Sequence, residues 1–186
     1  MPAAERADAA RNRAKLLTAA RRLVARRGVD QVTMEAVARA AGVGKGTVFH
    51  RFGNRAGLIR ALLDDAEKEL QDALLRGPPP LGPGAPADER LDAFLCALAD
   101  FTLAHAELLV AADSGLPGGR YATGAYGAWH AHAALLVGEL RPEADAALLA
   151  HLVLAPLDPT LVRHLSPEGR ALRGAVKDAA RRLTAG

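Results

Sequence analysis

The sequence predicts an all-α fold. Three observations carry that expectation: Ala, Leu and Arg dominate, aromatics are only 4% of the chain, and no stretch sustains an alternation of apolar and polar residues. Half of the 186 residues are apolar, enough to bury a sizeable core without covalent staples.

Leu16, Leu17, Ala20, Leu23 and Val24 repeat with helical spacing, and Gly28 follows where a left-handed C-cap belongs. Thr33 offers an oxygen to cap a short second helix, Glu35 favours its positive end, and Val37, Ala38 and Ala41 form its apolar stripe before Gly42. A third short helix is expected over 45–51, closed by Gly53. Asn54 then caps a long fourth helix that carries Leu58, Ala61, Leu62, Ala66, Leu70 and Ala73 and ends near Arg76. The run GPPPLGPGAPA from Gly77 to Ala87 removes backbone donors and adds chain entropy, so it is a loop.

Helical spacing resumes over 88–102 with Leu91, Phe94, Leu95 and Leu98, and a separate short helix is expected over 105–112 before a break from Ser114 to Gly119. The stretch 121–140 is apolar on most sides and reads as a buried central helix. Segments 143–155 and 166–184 form the last major pair, with a connector helix over 158–164. Ser166, Pro167 and Glu168 have the pattern of a helix start: a capping hydroxyl, then proline where its missing N–H costs nothing.

Charge divides unevenly along the chain. Met1 to Arg60 holds thirteen Lys and Arg against four Asp and Glu, giving +9, while Ala61 to Gly186 holds eleven against seventeen, giving −6, which together make the chain's +3. One half suits a polyanion such as DNA or RNA, although Arg21, Arg22, Arg26 and Arg27 also fit a solvated helix face. A lone cysteine, Cys96, excludes an intramolecular disulfide and a cysteine zinc framework, which points to a reducing compartment, the cytoplasm. With no basic neighbour in sequence, it reads as an inert buried thiol. The N-terminal residues Glu5 to Lys15 are charged and lack a signal-peptide core, and the longest uncharged run, Tyr121 to Gly138, contains His130, His132 and three glycines, too polar for a membrane span.

No Ser/His/Asp spacing, phosphate loop, dinucleotide fingerprint or HExxH helix appears, so neither an enzyme nor a cofactor is expected. His130 and His132, two apart on a helix, point roughly 200° apart and cannot share one metal ion.

The informative stretch is TMEAVARAAGVGKGTVFHRF, positions 33 to 52. Two short helices joined at Gly42 and Val43 turn Val37, Ala38, Val43 and Val48 toward each other and toward Leu23 and Val24, a helix-turn-helix arrangement. Small residues at Ala38, Ala41 and Gly42 allow a close crossing, which frees the outer face of the second helix for a major groove. Phe49 and Phe52 are expected in the core, and His50 outside.

These residues resemble the TetR family of transcriptional regulators. The resemblance runs over roughly residues 12 to 63 and rests on Thr33, Ala41-Gly42-Val43, Lys45-Gly46-Thr47, Phe49-His50, Phe52 and Asn54-Arg55. It implies a helix-turn-helix DNA-binding domain over 1–56 and a helical effector-binding and dimerisation domain over 57–186. It further implies a homodimer that represses from a palindromic operator in double-stranded DNA and is released by a small apolar or amphipathic effector. Residue by residue, it implies phosphate contacts from Thr33 and Thr47, a place near base edges for Val43, Lys45 and Gly46, and backbone contacts from His50 and Arg55. Arg11, Arg13 and Lys15 would add contacts from an arm before the first helix. Two positions depart from the family pattern. Gly44 stands where a Ser cap is usual, leaving only backbone amides for a contact there, and Phe49 stands where a Tyr hydroxyl is common.

An effector cavity needs apolar and aromatic walls with a few polar fixtures. Phe94, Phe101, His105, Leu116, Tyr121, Tyr126, Trp129, His130 and His151 gather most rings of the second half and are the candidate lining, with core filling as the bland alternative. For the dimer, Leu148, Leu149, Leu152, Val153, Leu161, Leu172, Val176, Ala179, Ala180 and Leu183 offer stripes for packing against a symmetry mate, or for packing within the chain alone. A nonspecific architectural DNA binder is the competing reading, but it would not need so large and acidic a second half.

Overall fold

A computed structural model of the chain describes residues 3–114, 117–165 and 172–185, with side chains from residue 7 onward. Among the described residues nine α-helices follow one another: α1 (Ala3–Arg27), α2 (Met34–Ala41), α3 (Lys45–Phe52), α4 (Arg55–Arg76), α5 (Ala87–Asp113), α6 (Gly124–Leu140), α7 (Ala146–Leu154), α8 (Pro159–Leu165) and α9 (Leu172–Thr184). Single 3₁₀ turns lie at Val29–Gln31, Gly119–Ala122 and Ala155–Leu157, and no strand occurs among the described residues.

Side-chain caps set the starts of α2, α4, α6 and α7. Thr33 accepts from the Ala36 amide (3.1 Å), Asn54 from Gly57 (2.9 Å), Thr123 from Tyr126 (3.1 Å) and Asp145 from Leu148 (3.0 Å). Gly42 ends α2 with φ 65°, a left-handed conformation that glycine adopts without a Cβ penalty.

Four expectations are corrected. Arg11, Arg13 and Lys15 belong to no arm: α1 begins at Ala3, because the Ala-rich stretch ahead of Leu16 propagates the helix. Arg13 is instead bonded to Asp64 (2.7 Å) and Arg21 to Asp65 (2.7 Å), joining α1 to α4. Residues 105–112 are not a separate helix but the end of α5, whose buried Thr102 turns its hydroxyl back to the Leu98 carbonyl (2.8 Å) and leaves the helix unbroken. The helix expected from Tyr121 starts at Gly124, because the Thr123 cap and the preceding 3₁₀ turn interrupt it, and Tyr121 is 65% exposed. The segment expected over 143–155 yields α7 from Ala146, since Asp145 is its cap. The expected helix start at Ser166, Pro167 and Glu168, and the lining residue Leu116, lie outside the described residues.

One apolar core runs through the molecule. Leu16, Ala20, Val37, Val48, Leu58 and Ile59 hold α1 to α3 against the first turns of α4, and α4 continues into a bundle centred on α5. α5 packs against α4, α6, α8 and α9, burying Phe94, Leu95, Leu98 and Ala99. By length and composition, α5 and the stretch 146–165 are apolar enough to cross a membrane. The helices packed around α5 account for its apolarity as that of a core helix. Cys96 is half-buried rather than fully buried.

Candidate nucleic-acid interface and ligand crevice

α3 has only eight residues, and a single one, Val48, is fully buried. That anchor presses one face of α3 onto α2 and leaves the rest outside, with Val43 and Phe52 packed partly against the core. Lys45, Gly46, Thr47, His50 and Arg51 are all exposed. Phe49, expected in the core, is 39% exposed, because the short helix has one inward position per turn and Val48 occupies it. The Lys45 ammonium lies 5.3 Å from the Phe49 ring centroid and also pairs with Glu35 of α2. That pairing holds the Glu35 carboxyl below its ordinary range. A Cβ on Gly46 would meet no atom within 4 Å, so the outer surface of α3 is open at its centre.

Gly44 caps α3 with its backbone alone: the Thr47 amide donates to its carbonyl (3.0 Å), and no side chain caps the helix. Thr33 is exposed beside the start of α2. Arg55, expected on a DNA backbone, instead reaches back into the protein, Nε donating to the Val32 carbonyl (2.8 Å) and Nη2 to the Val29 carbonyl (2.8 Å). It clamps the start of α4 to the loop before α2. Gly57 was not singled out in the sequence, yet a Cβ there would lie 2.1 Å from the Phe52 carbonyl oxygen. Only glycine lets α4 begin so close to the end of α3.

The rings expected around an effector cavity separate into three groups. Phe94 meets His132 edge-on at 4.9 Å between centroids. Phe101 meets Trp129 (5.5 Å) and His105 (5.0 Å). Tyr121, Tyr126, His130 and His151 form the third, with the Tyr126 hydroxyl 2.7 Å from His151 Nδ1 and His130 Nε2 2.9 Å from the Ala147 carbonyl. His132 thus meets Phe94 while His130 meets His151, 4.0 Å between ring centroids. Burial pushes the His105 and His132 imidazoles down from their ordinary value.

Only Tyr126 and Trp129 of the expected set line an internal crevice, of about 20 Å³, between α4, α5, the 3₁₀ turn and α6. Its other walls include four charged side chains that the sequence did not single out: Arg60, Glu67, Asp113 and Arg120. A surface hollow of about 200 Å³ shares Glu67, Ala125 and Trp129 with it, so the two lie back to back. A larger open groove, about 550 Å³, lies on α1 and α2 with Lys15, Arg22 and Arg26 on its walls, but no residue of α3 reaches it.

The candidate dimer residues also divide. Leu148 (56% exposed), Leu152 (45%) and Leu161 (40%) face outward, joined by Leu135 of α6 (56%). Val153, Val176 and Ala180 are buried within the chain, the latter two where α9 packs on α5, so they are not free for a partner. Leu149, Leu172 and Leu183 pack partly against the same core.

Residues 16–62 match the family model described as "Bacterial regulatory proteins, tetR family". Over 69 residues the chain is 39% identical to the HTH-type transcriptional regulator TtgR of Pseudomonas putida, covering 37% of this chain and 32% of TtgR. The same figures hold for the probable HTH-type transcriptional regulator ArpR of Pseudomonas putida, so the chain spans about a third of the length of these curated relatives. Among solved structures, FadR of Bacillus halodurans, a fatty acid degradation regulator, superimposes with a TM-score of 0.66 at 19% identity, over 94% of this chain and 95% of that one. The TetR-family repressor FadR of Thermus thermophilus, solved with lauroyl-CoA, gives 0.65 at 21% identity over 92% of each chain. These likenesses extend the shared fold, a helix-turn-helix domain followed by a helical bundle, across both halves. The likeness to the tetR family of bacterial regulatory proteins is carried by the helix-turn-helix segment, residues 16–62.

Proposed function

We propose that this protein is a cytoplasmic, ligand-responsive transcriptional regulator without enzymatic activity, a homodimer that represses from a palindromic operator in duplex DNA. The observation that carries the reading is α3 itself: one buried anchor, Val48, and an outer face of Lys45, Gly46, Thr47 and His50 with nothing laid over it. A helix held in that way can enter a major groove, with Lys45 reaching guanine acceptors or phosphate, Thr33 and Thr47 donating to phosphate, and Val43, Gly44 and Gly46 admitting close approach. Arg55 acts here as a clamp that sets the pose of the helix pair, with at most a minor share in phosphate contact.

A two-fold protein reads a palindrome, and the outward leucines of α6, α7 and α8 supply a self-complementary apolar face: Leu135, Leu148, Leu152 and Leu161. The effector enters between α4, α5 and α6. The acyl-CoA ligands of two FadR structures, lauroyl-CoA and stearoyl-CoA, support an amphipathic molecule as the class. Since α4 runs without interruption from the helix-turn-helix to the crevice, a ligand that shifts α4 changes the separation of the two recognition helices and lowers operator affinity. Footprinting the protein on DNA flanking its own gene, at several salt concentrations, tests this. A protected palindrome whose occupancy falls steeply with salt is expected, and uniform coverage without a protected site overturns the reading.

A further inference from the structure

Four charged side chains meet inside the apolar bundle at the crevice: Arg60 and Glu67 from α4, Asp113 from α5, and Arg120 from the turn before α6. Charges in such a place are costly unless partnered. Arg120 is partnered: its guanidinium lies 3.4 Å from the Asp158 carboxylate and 4.9 Å from the centre of the Tyr126 ring. Arg60 is not. Its Nη2 is buried and finds no hydrogen-bond partner among the described residues. The two carboxyls have a way out of this cost in proton uptake, since burial pushes both Glu67 and Asp113 up against the smaller downward pull of Arg60. A guanidinium has none, because it does not give up its proton in proteins. What remains is a positive charge facing a crevice with Trp129, Tyr126, Leu63 and Leu109 on its walls.

Resting on the regulator reading above, we infer that this crevice is the effector site for a compact organic monocarboxylate, its carboxylate on Arg60 and its apolar body against Tyr126 and Trp129. A carboxylate matches the guanidinium fork with two parallel hydrogen bonds. A single negative charge also suits the neighbours better than a phosphate dianion, which would face two acidic groups, Glu67 and Asp113, at once. The crevice of about 20 Å³ holds roughly one water, so binding must move its walls. Because Arg60 belongs to α4, the wall that moves is the helix tied to the DNA-reading half.

Trp129 is the chain's single tryptophan and lines the site, so its fluorescence reads occupancy without DNA. The full-length protein is titrated with phenylacetate, 4-phenylbutyrate and octanoate, and in parallel with the matching amides and amines. Saturable quenching or shift with a carboxylate, absent with its amide and amine, is expected. Arg60→Gln should weaken that binding about tenfold or more, while Glu67→Gln, which removes an acid beside the bound carboxylate, tightens it. Circular dichroism and melting of both variants show that the fold is retained. Preference for amines, loss of carboxylate binding in Glu67→Gln but not in Arg60→Gln, or no saturation by any carboxylate at millimolar concentration overturns the inference. Failure of the regulator reading looks different: carboxylates would bind, with the expected variant pattern, yet leave DNA affinity unchanged.

Discussion

The ammonium of Lys45 is paired with the carboxylate of Glu35, so the first residue of α3 is tied to the first turn of α2. The pair does two things. It fixes the first turn of α3 against its neighbour, and under the proposed function it holds in reserve a cation that a phosphate or a guanine edge can claim. Glu35 is thereby held below its ordinary value of 4.5. A depressed carboxyl contributes its tie above that value and loses it as pH falls through the lower, folded one.

Glu35→Gln removes the competitor for Lys45 and one negative charge beside the DNA. The expected result is several-fold tighter binding to duplex, with helicity unchanged. Lys45→Ala should weaken binding and reduce the slope of log affinity against log salt by about one, measured by fluorescence anisotropy across a salt series.

Gly57→Ala should loosen the elbow between α3 and α4, because the new methyl carbon would sit 2.1 Å from the Phe52 carbonyl oxygen and the backbone must move. Denaturant unfolding should show a loss of about 1–3 kcal/mol, and DNA binding should fall further than that loss alone explains. An unchanged midpoint would contradict a close approach of Gly57 to the Phe52 carbonyl.

Arg55→Ala should cost about 1–3 kcal/mol in the same measurement, since two buried carbonyls, those of Val29 and Val32, lose charge-assisted donors. Arg55→Lys recovers little, because an ammonium cannot span both carbonyls in the fork geometry. A variant of full stability but reduced DNA affinity would return Arg55 to the direct phosphate role.

Glu67→Gln tests the buried acid on α4. Burial raises the Glu67 carboxyl above its ordinary 4.5, so its contribution favours the fold below that value and is lost as pH rises through the folded value. The glutamine variant should melt a few degrees higher than the parent at pH near 7, and the advantage should vanish as pH falls below 4.5. A pH-independent difference would remove desolvation as its cause.

Leu148→Glu with Leu152→Glu should give a helical monomer in sedimentation, since both side chains lie outside the chain's own core. Val176→Glu should instead unfold α9 from α5, because Val176 is only 2% exposed. A double variant that remains dimeric would move the interface elsewhere.

Much of this was legible in the residues. The caps at Thr33 and Asn54, the glycine turn at Gly42 and the exposed Lys45–Gly46–Thr47 face follow from local chemistry, because each depends on atoms a few residues apart. What escaped depends on distant pairs. The clamp of Arg55 on Val29 and Val32, the contact of Gly57 with Phe52 and the meeting of Arg60, Glu67, Asp113 and Arg120 bring together positions that no helical period relates. Aromatic residues in the sequence mark apolar walls but not the charges set among them, although Arg60 and Glu67 lie two turns apart on one face of α4. Val176 and Ala180 read as an outward stripe because an amphipathic helix shows which face is apolar, not whether the cover comes from its own chain or from a second copy.

The central claim, that α3 reads duplex sequence as one half of a symmetric pair, is tested most directly by selecting binding sites from a randomised duplex library with the full-length protein. The account predicts enrichment of one palindrome whose half-site centres lie about 34 Å or a multiple apart, lost when the selection is repeated with Lys45→Ala and Thr47→Ala combined. Recovery of no preferred sequence, or of the same palindrome by that double variant, would contradict it.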